Sequence, residues 1–382
     1  MTQGKILLIS WTLPPEPTGS AVIVGNLAKQ FTASEMILAG EKPFCRPPVT
    51  WNEDWPPLIY IARSLPPGWR GARWWRWIQI PLMLSRCIAL VRKYNCTRIL
   101  AVFPNEDFLL VAYLTSLWTG LPLWAYFHNT FVENRRGVNL RFARWLQERI
   151  FRVSRHTFVM SEGMVELYRR NYPSLRCSAL VHSFNEDIPE FAPLPDVHSP
   201  LRVVICGNIN ESCRDAAVRF CEAVTQMNDV LLTVISGTPP DQLRELGILR
   251  HGTPYETVSR DDVLNRLRAA DVLFLPHGFS GKSAPEEYET MFPTKTIEYL
   301  ISGRPVLAHT PSGCYLTRFL KTHKCAFVVD EPNVAALIDA VESLRSDREL
   351  RAGLVQRALR AAQMFHAPVV AMTLRAQIQK TI

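Results

Sequence analysis

The sequence predicts an α/β protein with two doubly wound domains, each a parallel sheet covered by helices on both faces. Short, continuously apolar runs alternate with helix-length amphipathic stretches, which is typical of buried parallel strands. The alternation stops at 183–201, where prolines recur among polar residues, and then restarts. A chain of 382 residues, 47% of them hydrophobic, is long enough for two or three domains with sizeable cores.

The first strand and helix series precedes the proline-rich segment. We predict strands at 5–10, 35–39, 58–62, 98–102, 123–127, 157–160 and 178–181. Helices are predicted at 20–31, 72–93, 106–118, 139–151 and 163–171. The uncharged stretch 108–127 is long enough to suggest a membrane span, but Gly120 and Pro122 interrupt it. We therefore interpret it as a buried helix followed by a buried strand.

The second series follows the proline-rich segment. Strands are predicted at 201–206, 230–236, 248–250, 272–275, 305–308 and 326–329. Helices are predicted at 215–227, 261–269, 294–302, 315–321, 334–344 and 349–364, with a last helix from Pro368. The predicted domains are 1–185 and 186–366, and the helix at 367–382 is expected to pack back on the first. Ligands of such sheets bind beyond the carboxyl ends of the strands, so we expect the site in the cleft between the domains.

The cysteines and the amino-terminal residues limit the classes of protein to which the sequence can belong. The nine cysteines are scattered and form no Cys-x-x-Cys pair, which argues against a disulfide framework and a structural zinc site. No signal-peptide pattern opens the sequence. We expect a cytoplasmic protein, with a peripheral position at the inner face of the membrane as the alternative.

Positive charge is concentrated in the first half of the chain. The formal net charge is +8, and eight basic residues with no acidic ones lie between Arg63 and Arg98. A second cluster, between Val132 and His156, holds seven arginines against two glutamates. A field of this sign favours an anionic partner, which leaves a membrane surface, nucleic acid or a phosphorylated substrate open.

Two segments have the composition of a phosphate or nucleotide site. The loop 11–21 holds prolines and then Gly19 at the start of a helix, which suits phosphate or an acidic sugar but equally suits a plain strand-to-helix turn. In 292–309, Pro293 and Thr294 open a helix that carries Lys295 and Glu298. Amides, a cation and a carboxylate at one helix end suit a nucleoside diphosphate, and the alternative is a capped helix in which Lys295 and Glu298 pair.

The second of these segments resembles the donor-binding motif of GT-B glycosyltransferases, most closely family 4 and its Pro-x-Lys-x-x-Glu subgroup. The resemblance extends over nearly the whole chain, including the loop ending in Gly19 and Ser20, and Cys206-Gly207. It implies two Rossmann-like domains facing across a cleft and a retaining transfer of sugar from a nucleoside diphosphate sugar to a glycan, lipid-linked glycan or small molecule. It implies no cofactor beyond the donor. No Asp-x-Asp sequence occurs, so we predict metal-independent transfer without any metal-binding residue.

The resemblance also assigns residues. Glu298, Lys295, His128 and Arg214 are the catalytic candidates: Glu298 would bind the ribose, Lys295 and Arg214 would neutralise the diphosphate, and His128 would lie near the transferred sugar. The donor-binding candidates are Gly19, Ser20, Gly207, Asn208, His277, Pro293, Thr294, Lys295 and Glu298.

Two positions depart from the family pattern. The first glutamate of the family's Glu-x7-Glu is Thr290 here, and an arginine after the glycine is Asn208. Lys282, Lys295 or His277 are candidates to replace the missing contacts. A sugar-nucleotide epimerase and a non-catalytic sugar-nucleotide-binding subunit remain alternatives to a transferase.

The segment Trp69–Lys93 is rich in tryptophan and arginine. Such side chains suit an anionic bilayer surface, and the alternative is a helix that packs its tryptophans inward. No nucleic-acid recognition motif accompanies it, so we predict no nucleic-acid partner.

Overall fold

The structure is a computed structural model that describes residues 4–16, 18–44, 51–66 and 71–381, without the side chains of residues 72 and 73. Pro17 of the first loop, Cys45, and Trp69 and Arg70 of the tryptophan-rich segment lie outside these residues. The chain divides into two compact units. One comprises the described residues up to Asn185 and from His366 onward, and the other is Glu186–Phe365.

The first unit is an α/β layer structure around one parallel sheet. Its strands are β1 (Lys5–Ile9), β2 (Met36–Lys42), β3 (Leu58–Arg63), β4 (Cys96–Phe103), β5 (Leu123–Phe127), β6 (Ser154–Val159) and β7 (Cys177–Ala179). Its helices are α1 (Gly19–Ala28), α2 (Ala72–Tyr94), α3 (Glu106–Thr119), α4 (Gly137–Val153) and α5 (Glu162–Asn171). In the described residues, all strand pairs are parallel and the order is β3-β2-β1-β4-β5-β6-β7. The order reverses between β1 and β4, and ligands of such sheets bind beyond the carboxyl ends of the strands.

The second unit repeats this design. Its strands are β8 (Leu201–Cys206), β9 (Val230–Ile235), β10 (Tyr255–Glu256), β11 (Val272–Pro276), β12 (Val306–His309) and β13 (Phe327–Val329). Its helices are α6 (Arg214–Thr225), α7 (Pro240–Glu245), α8 (Val263–Arg268), α9 (Pro285–Thr290), α10 (Lys295–Ile301), α11 (Tyr315–His323), α12 (Val334–Ser346) and α13 (Arg348–Ala362). The parallel strand order is β10-β9-β8-β11-β12-β13. Two parallel-sheet α/β units confirm the predicted fold class.

The last helix belongs to the first unit. Helix α14 (Ala367–Lys380) buries Val370 and Leu374 in that unit's core. The Arg375 guanidinium lies 3.0 Å from the Glu35 carboxylate and 4.1 Å from the centroid of the Phe31 ring. These contacts fix the carboxyl-terminal segment against the first sheet.

Most predicted elements lie within a few residues of the observed ones, but the predicted strand at 248–250 is wrong. The amides of Ile248 and Leu249 both bond to the carbonyl of Leu243, which folds this apolar run against the end of α7 instead of into a sheet. The edge strand is β10. Helices α7 and α9 are absent from the prediction because each is only six residues long, too short for a clear helical period, although each begins at a proline that is favourable at the first helical position.

The uncharged stretch 108–127 forms most of α3 and all of β5, as predicted. Among the described residues, no helix combines the length and the apolar character needed to cross a membrane.

Candidate donor site

In the second unit, Lys295 lies over Gly207. Strand β8 ends at Cys206, and Gly207 follows with φ of 98°, a left-handed conformation that favours glycine. A Cβ built on Gly207 would stand 3.3 Å from Lys295 Cε and 3.5 Å from its Nζ. Because glycine has no side chain, Gly207 leaves space for the side chain of Lys295.

The Lys295 amine is buried and has no hydrogen-bond partner in the described part of the chain. An ammonium group shielded from water without a partner is unfavourable, and an anionic ligand would supply the missing interaction. No ion pair joins Lys295 to Glu298 among the described residues, so the alternative in which these two side chains pair is wrong.

Glu298 is paired with Arg260 instead. Glu298 Oε1 accepts from Arg260 Nη2 at 2.6 Å, and the Glu298 side chain is 20% exposed. Burial raises the pKa of Glu298, while Arg260 acts in the opposite direction. No motif in the sequence points to Arg260, because it lies in a short 3₁₀ turn (Arg260–Asp262) before α8, far from Glu298 along the chain.

Tyr299 anchors α10 to the sheet. Its fully buried hydroxyl accepts from the amide of Cys206, the last residue of β8, at 2.8 Å and lies 3.2 Å from the carbonyl oxygen of Phe274 in the middle of β11. This contact holds Lys295 and Glu298 of the same helix at the carboxyl edge of the second sheet.

The start of α10 offers fewer free amides than the sequence suggested. Thr294 is exposed and precedes the helix without a side-chain cap, and Pro293 is half-buried. The amides of Thr296 and Ile297 bond to the carbonyls of Pro293 and Thr294 at 3.0 and 3.2 Å. These two amides are therefore not available to a ligand, and the charge of Lys295 is the dominant feature of this helix end.

Asn208 and Arg214 line one pocket of about 420 Å³, beyond the carboxyl ends of β8 and β9. Arg214 begins α6, is 44% exposed and lies 3.7 Å from the Glu211 carboxylate. An exposed pair at that distance contributes little to stability, so the guanidinium can exchange this partner for a ligand.

His277 does not line this pocket. It follows β11, its ring is fully buried, and its Nε2 lies 2.9 Å from the carbonyl oxygen of Tyr288. Thr290 is also buried, and its hydroxyl donates to the Glu286 carbonyl within α9. Lys282 is exposed. Neither His277 nor Thr290 presents its side chain to solvent.

In the first unit, the structure brings Ser20 and His128 together. His128 follows β5, and its Nδ1 lies 3.0 Å from the Ser20 hydroxyl of α1. Its Nε2 is buried and has no hydrogen-bond partner among the described residues. Burial, with a smaller contribution from His182, lowers the pKa of His128 far below 6.5, so the ring is neutral at pH 7. Gly19 begins α1, and a Cβ added there would meet nothing within 4 Å.

Sequence and structure comparisons bear on both units. Residues 188–360 match the family model of glycosyl transferases group 1. No curated protein matches the chain in sequence. Sucrose-phosphate synthase from Thermosynechococcus elongatus is similar in structure, with a TM-score of 0.71, 14% identity and coverage of 99% of this chain and 98% of that one.

Two further solved structures are similar over their whole length. Anabaena HepE in complex with UDP-glucose has a TM-score of 0.68 and 15% identity, covering 98% of this chain and 99% of that one. The α,α-trehalose-phosphate synthase (UDP-forming) from Burkholderia xenovorans has a TM-score of 0.66 and 13% identity, covering 98% and 100%. The chain therefore has the GT-B fold, and residues 188–360 of its second unit are similar to the glycosyl transferases group 1 family.

Proposed function

We propose that this protein is a glycosyltransferase that moves a sugar from a nucleoside diphosphate sugar to a glycan, lipid-linked glycan or small-molecule acceptor. The observation that carries the proposal is the buried, unpartnered amine of Lys295 over Gly207. The similarity to the glycosyl transferases group 1 family and the UDP-glucose complex of Anabaena HepE support the choice of donor.

Lys295 would act on the leaving group. Negative charge develops on the nucleoside diphosphate as the bond to the sugar breaks, and a fixed ammonium group stabilises that charge without reorganisation. Arg214 would add charge from the neighbouring pocket. Retention of configuration and transfer without a metal ion are part of this proposal and rest on the family 4 resemblance and on the missing Asp-x-Asp sequence.

Glu298 would bind the ribose. A carboxylate accepts several hydrogen bonds, so Glu298 can keep Arg260 and still accept from vicinal hydroxyls. Arg260 lowers the pKa of this carboxyl group and so partly offsets the larger, opposite effect of its burial. Replacing Glu298 with Ala therefore removes the ribose contact, and Arg260→Gln weakens it indirectly.

The first unit supports a peripheral contact with an anionic membrane. On α2, Trp74 is 76% and Ile78 is 70% exposed, so the alternative in which the tryptophans pack inward is wrong for Trp74. Trp77 does pack inward, with its ring 5.2 Å from that of Phe142 on α4. Helix α4 adds exposed apolar and basic side chains, which are Val138, Arg141, Arg144, Trp145 and Arg149.

Vesicle cosedimentation tests this contact. Replacing Trp74 and Ile78 with Ser should lower binding to anionic vesicles at least about tenfold, because aromatic and aliphatic anchors insert at headgroup level. Replacing Val369 and Met372 with Ser, on the exposed face of α14, should leave binding unchanged. Equal binding by all three proteins would contradict the contact.

The experiment that tests the function is a thermal-shift screen of nucleoside diphosphate sugars, followed by product analysis with and without acceptors. A donor that binds the folded state raises the melting temperature. We expect Glu298→Ala to abolish most of that shift. Conversion of the donor without an acceptor would identify an epimerase, and binding without turnover over any acceptor would identify a binding subunit.

A further inference from the structure

A positively charged pocket lies at the edge of the first sheet that is opposite to His128. It has a volume of about 520 Å³ and is formed by the segments that precede β5, β6 and β7. Ligands of parallel sheets bind at the carboxyl edge, where His128 follows β5, whereas this pocket lies at the amino edge. It is therefore separate from the candidate site of the first unit.

Three arginines line this pocket, and no acidic residue does. They are Arg152, Arg155 and Arg176, all exposed. Within the described residues, none of their guanidinium groups forms an ion pair. Arginines that converge on a concavity without a counterion attract an anion.

Local structure explains why the three side chains meet. Arg152 lies in the last turn of α4. Arg155 is the extra residue where the register between β5 and β6 shifts, a bulge that redirects a side chain. Arg176 precedes β7, and its carbonyl accepts from the Thr157 amide at 2.9 Å, which fixes its backbone against β6.

The helix ends at this edge do not neutralise the arginines. The carboxyl termini of α3, α4 and α5 each contribute roughly half a negative charge, or about one and a half together. Three guanidinium groups therefore leave an excess of about one and a half positive charges. The neighbouring His156 adds no charge near pH 7, since burial, with Arg169 and Arg176, lowers its pKa to about 4.

We propose that this pocket binds a phosphorylated ligand. A phosphate monoester carries about one and a half to two negative charges near neutral pH, which is close to this excess, and guanidinium groups bind phosphate oxygens in a bidentate manner. The volume suits a small phosphorylated molecule or the headgroup of a phosphorylated lipid. The site is independent of the proposed transferase activity.

Calorimetric titration with inorganic pyrophosphate tests the site. The full chain carries Lys295→Ala throughout, so that the amine of the candidate donor site does not contribute. Replacing Arg152, Arg155 and Arg176 with Gln should lower pyrophosphate affinity at least about tenfold.

The matched control replaces Arg202, Arg250 and Arg268, three exposed arginines of the second unit, with Gln. It removes the same charge away from the pocket, and its affinity should stay within about twofold of the parent. Undiminished pyrophosphate affinity in the pocket variant would overturn the proposal. An equal loss of affinity in both variants would also overturn it, because it would show that pyrophosphate responds to the overall positive charge of the protein and not to this pocket.

Vesicles distinguish the two sources of the phosphate. Phosphatidylcholine vesicles with and without phosphatidic acid are cosedimented with the parent and the pocket variant. If the pocket variant loses pyrophosphate affinity and also binds phosphatidic acid vesicles less well, the pocket binds a lipid headgroup. If it loses pyrophosphate affinity alone, the ligand is a free phosphorylated molecule. Both results support the site.

Discussion

The two units use similar sheets to place different chemistry at their carboxyl edges. In the first unit the candidate group is neutral: His128 is buried beside Ser20, and burial keeps its pKa far below 6.5. In the second unit the candidate groups are charged: Lys295 lies beside the pair formed by Glu298 and Arg260. This difference indicates two separate roles. The charged groups of the second unit suit the binding of an anionic donor, whereas His128 of the first unit is suited to forming hydrogen bonds as a neutral group.

The largest effect that we expect is on turnover, and it comes from replacing His128. We predict that His128→Ala lowers turnover about a hundredfold with little change in donor affinity, because a neutral donor to the reacting groups is lost. Because the residue is buried, His128→Gln serves as a second variant that keeps a hydrogen-bonding side chain. His156→Asn, at another buried histidine of the same unit, should retain turnover. A His128→Ala enzyme with normal turnover would show that this ring is structural.

Acidification should lower the free energy of unfolding of both units, because each contains a buried histidine. Burial, helped by nearby arginines, lowers the pKa of His156 in the first unit and of His309 in the second from 6.5 to about 4. Between these values the unfolded histidine binds a proton that the folded one does not. Stability is therefore complete above about pH 6.5 and falls by up to about 3 kcal/mol for each histidine as the pH approaches 4.

Urea unfolding followed by fluorescence between pH 7 and pH 4.5 measures this loss. His309→Gln should reduce the slope of stability against pH by about 1.4 kcal/mol per pH unit, whatever it does to stability at pH 7. The same slope in the variant and the wild type would show that His309 does not titrate as described.

A smaller effect, on stability, should distinguish Gly207 of the second unit from Gly19 of the first. Gly207→Ala should cost about 1 to 3 kcal/mol, since φ of 98° strains a side chain and the added Cβ would press on Lys295. Gly19→Ala meets open space at the start of α1 and should leave stability unchanged or raise it by up to about 1 kcal/mol. Thermal unfolding measures both, and equal destabilisation would contradict the difference.

The sequence predicted the fold because each strand is a local pattern. Continuous apolar runs such as those of β1 and β5 can only be buried on both faces, and their spacing by helices implies parallel pairing. The prediction failed where local pattern and tertiary packing differ. Ile248 and Leu249 are apolar and buried, but they fill the core from a turn.

The part of the candidate site that could be predicted is the part whose residues are close together in the sequence. Lys295 and Glu298 lie in one short motif, so the helix that carries both residues could be predicted from the sequence. Arg260, which holds the Glu298 carboxylate, and Ser20, which contacts His128, are remote from their partners in sequence. No spacing rule connects such pairs, so only the packing of the sheets reveals them.

Calorimetric titration of UDP, ADP and GDP into wild type, Lys295→Ala and Lys282→Ala tests the central claim most directly. Lys282 is an exposed lysine of the same unit and controls for the lost charge. We predict that at least one nucleotide binds the wild type and that Lys295→Ala weakens it by about tenfold to a hundredfold, while Lys282→Ala binds as the wild type does. Equal affinity of the Lys295→Ala and wild-type proteins would contradict the assignment of this amine to the donor diphosphate.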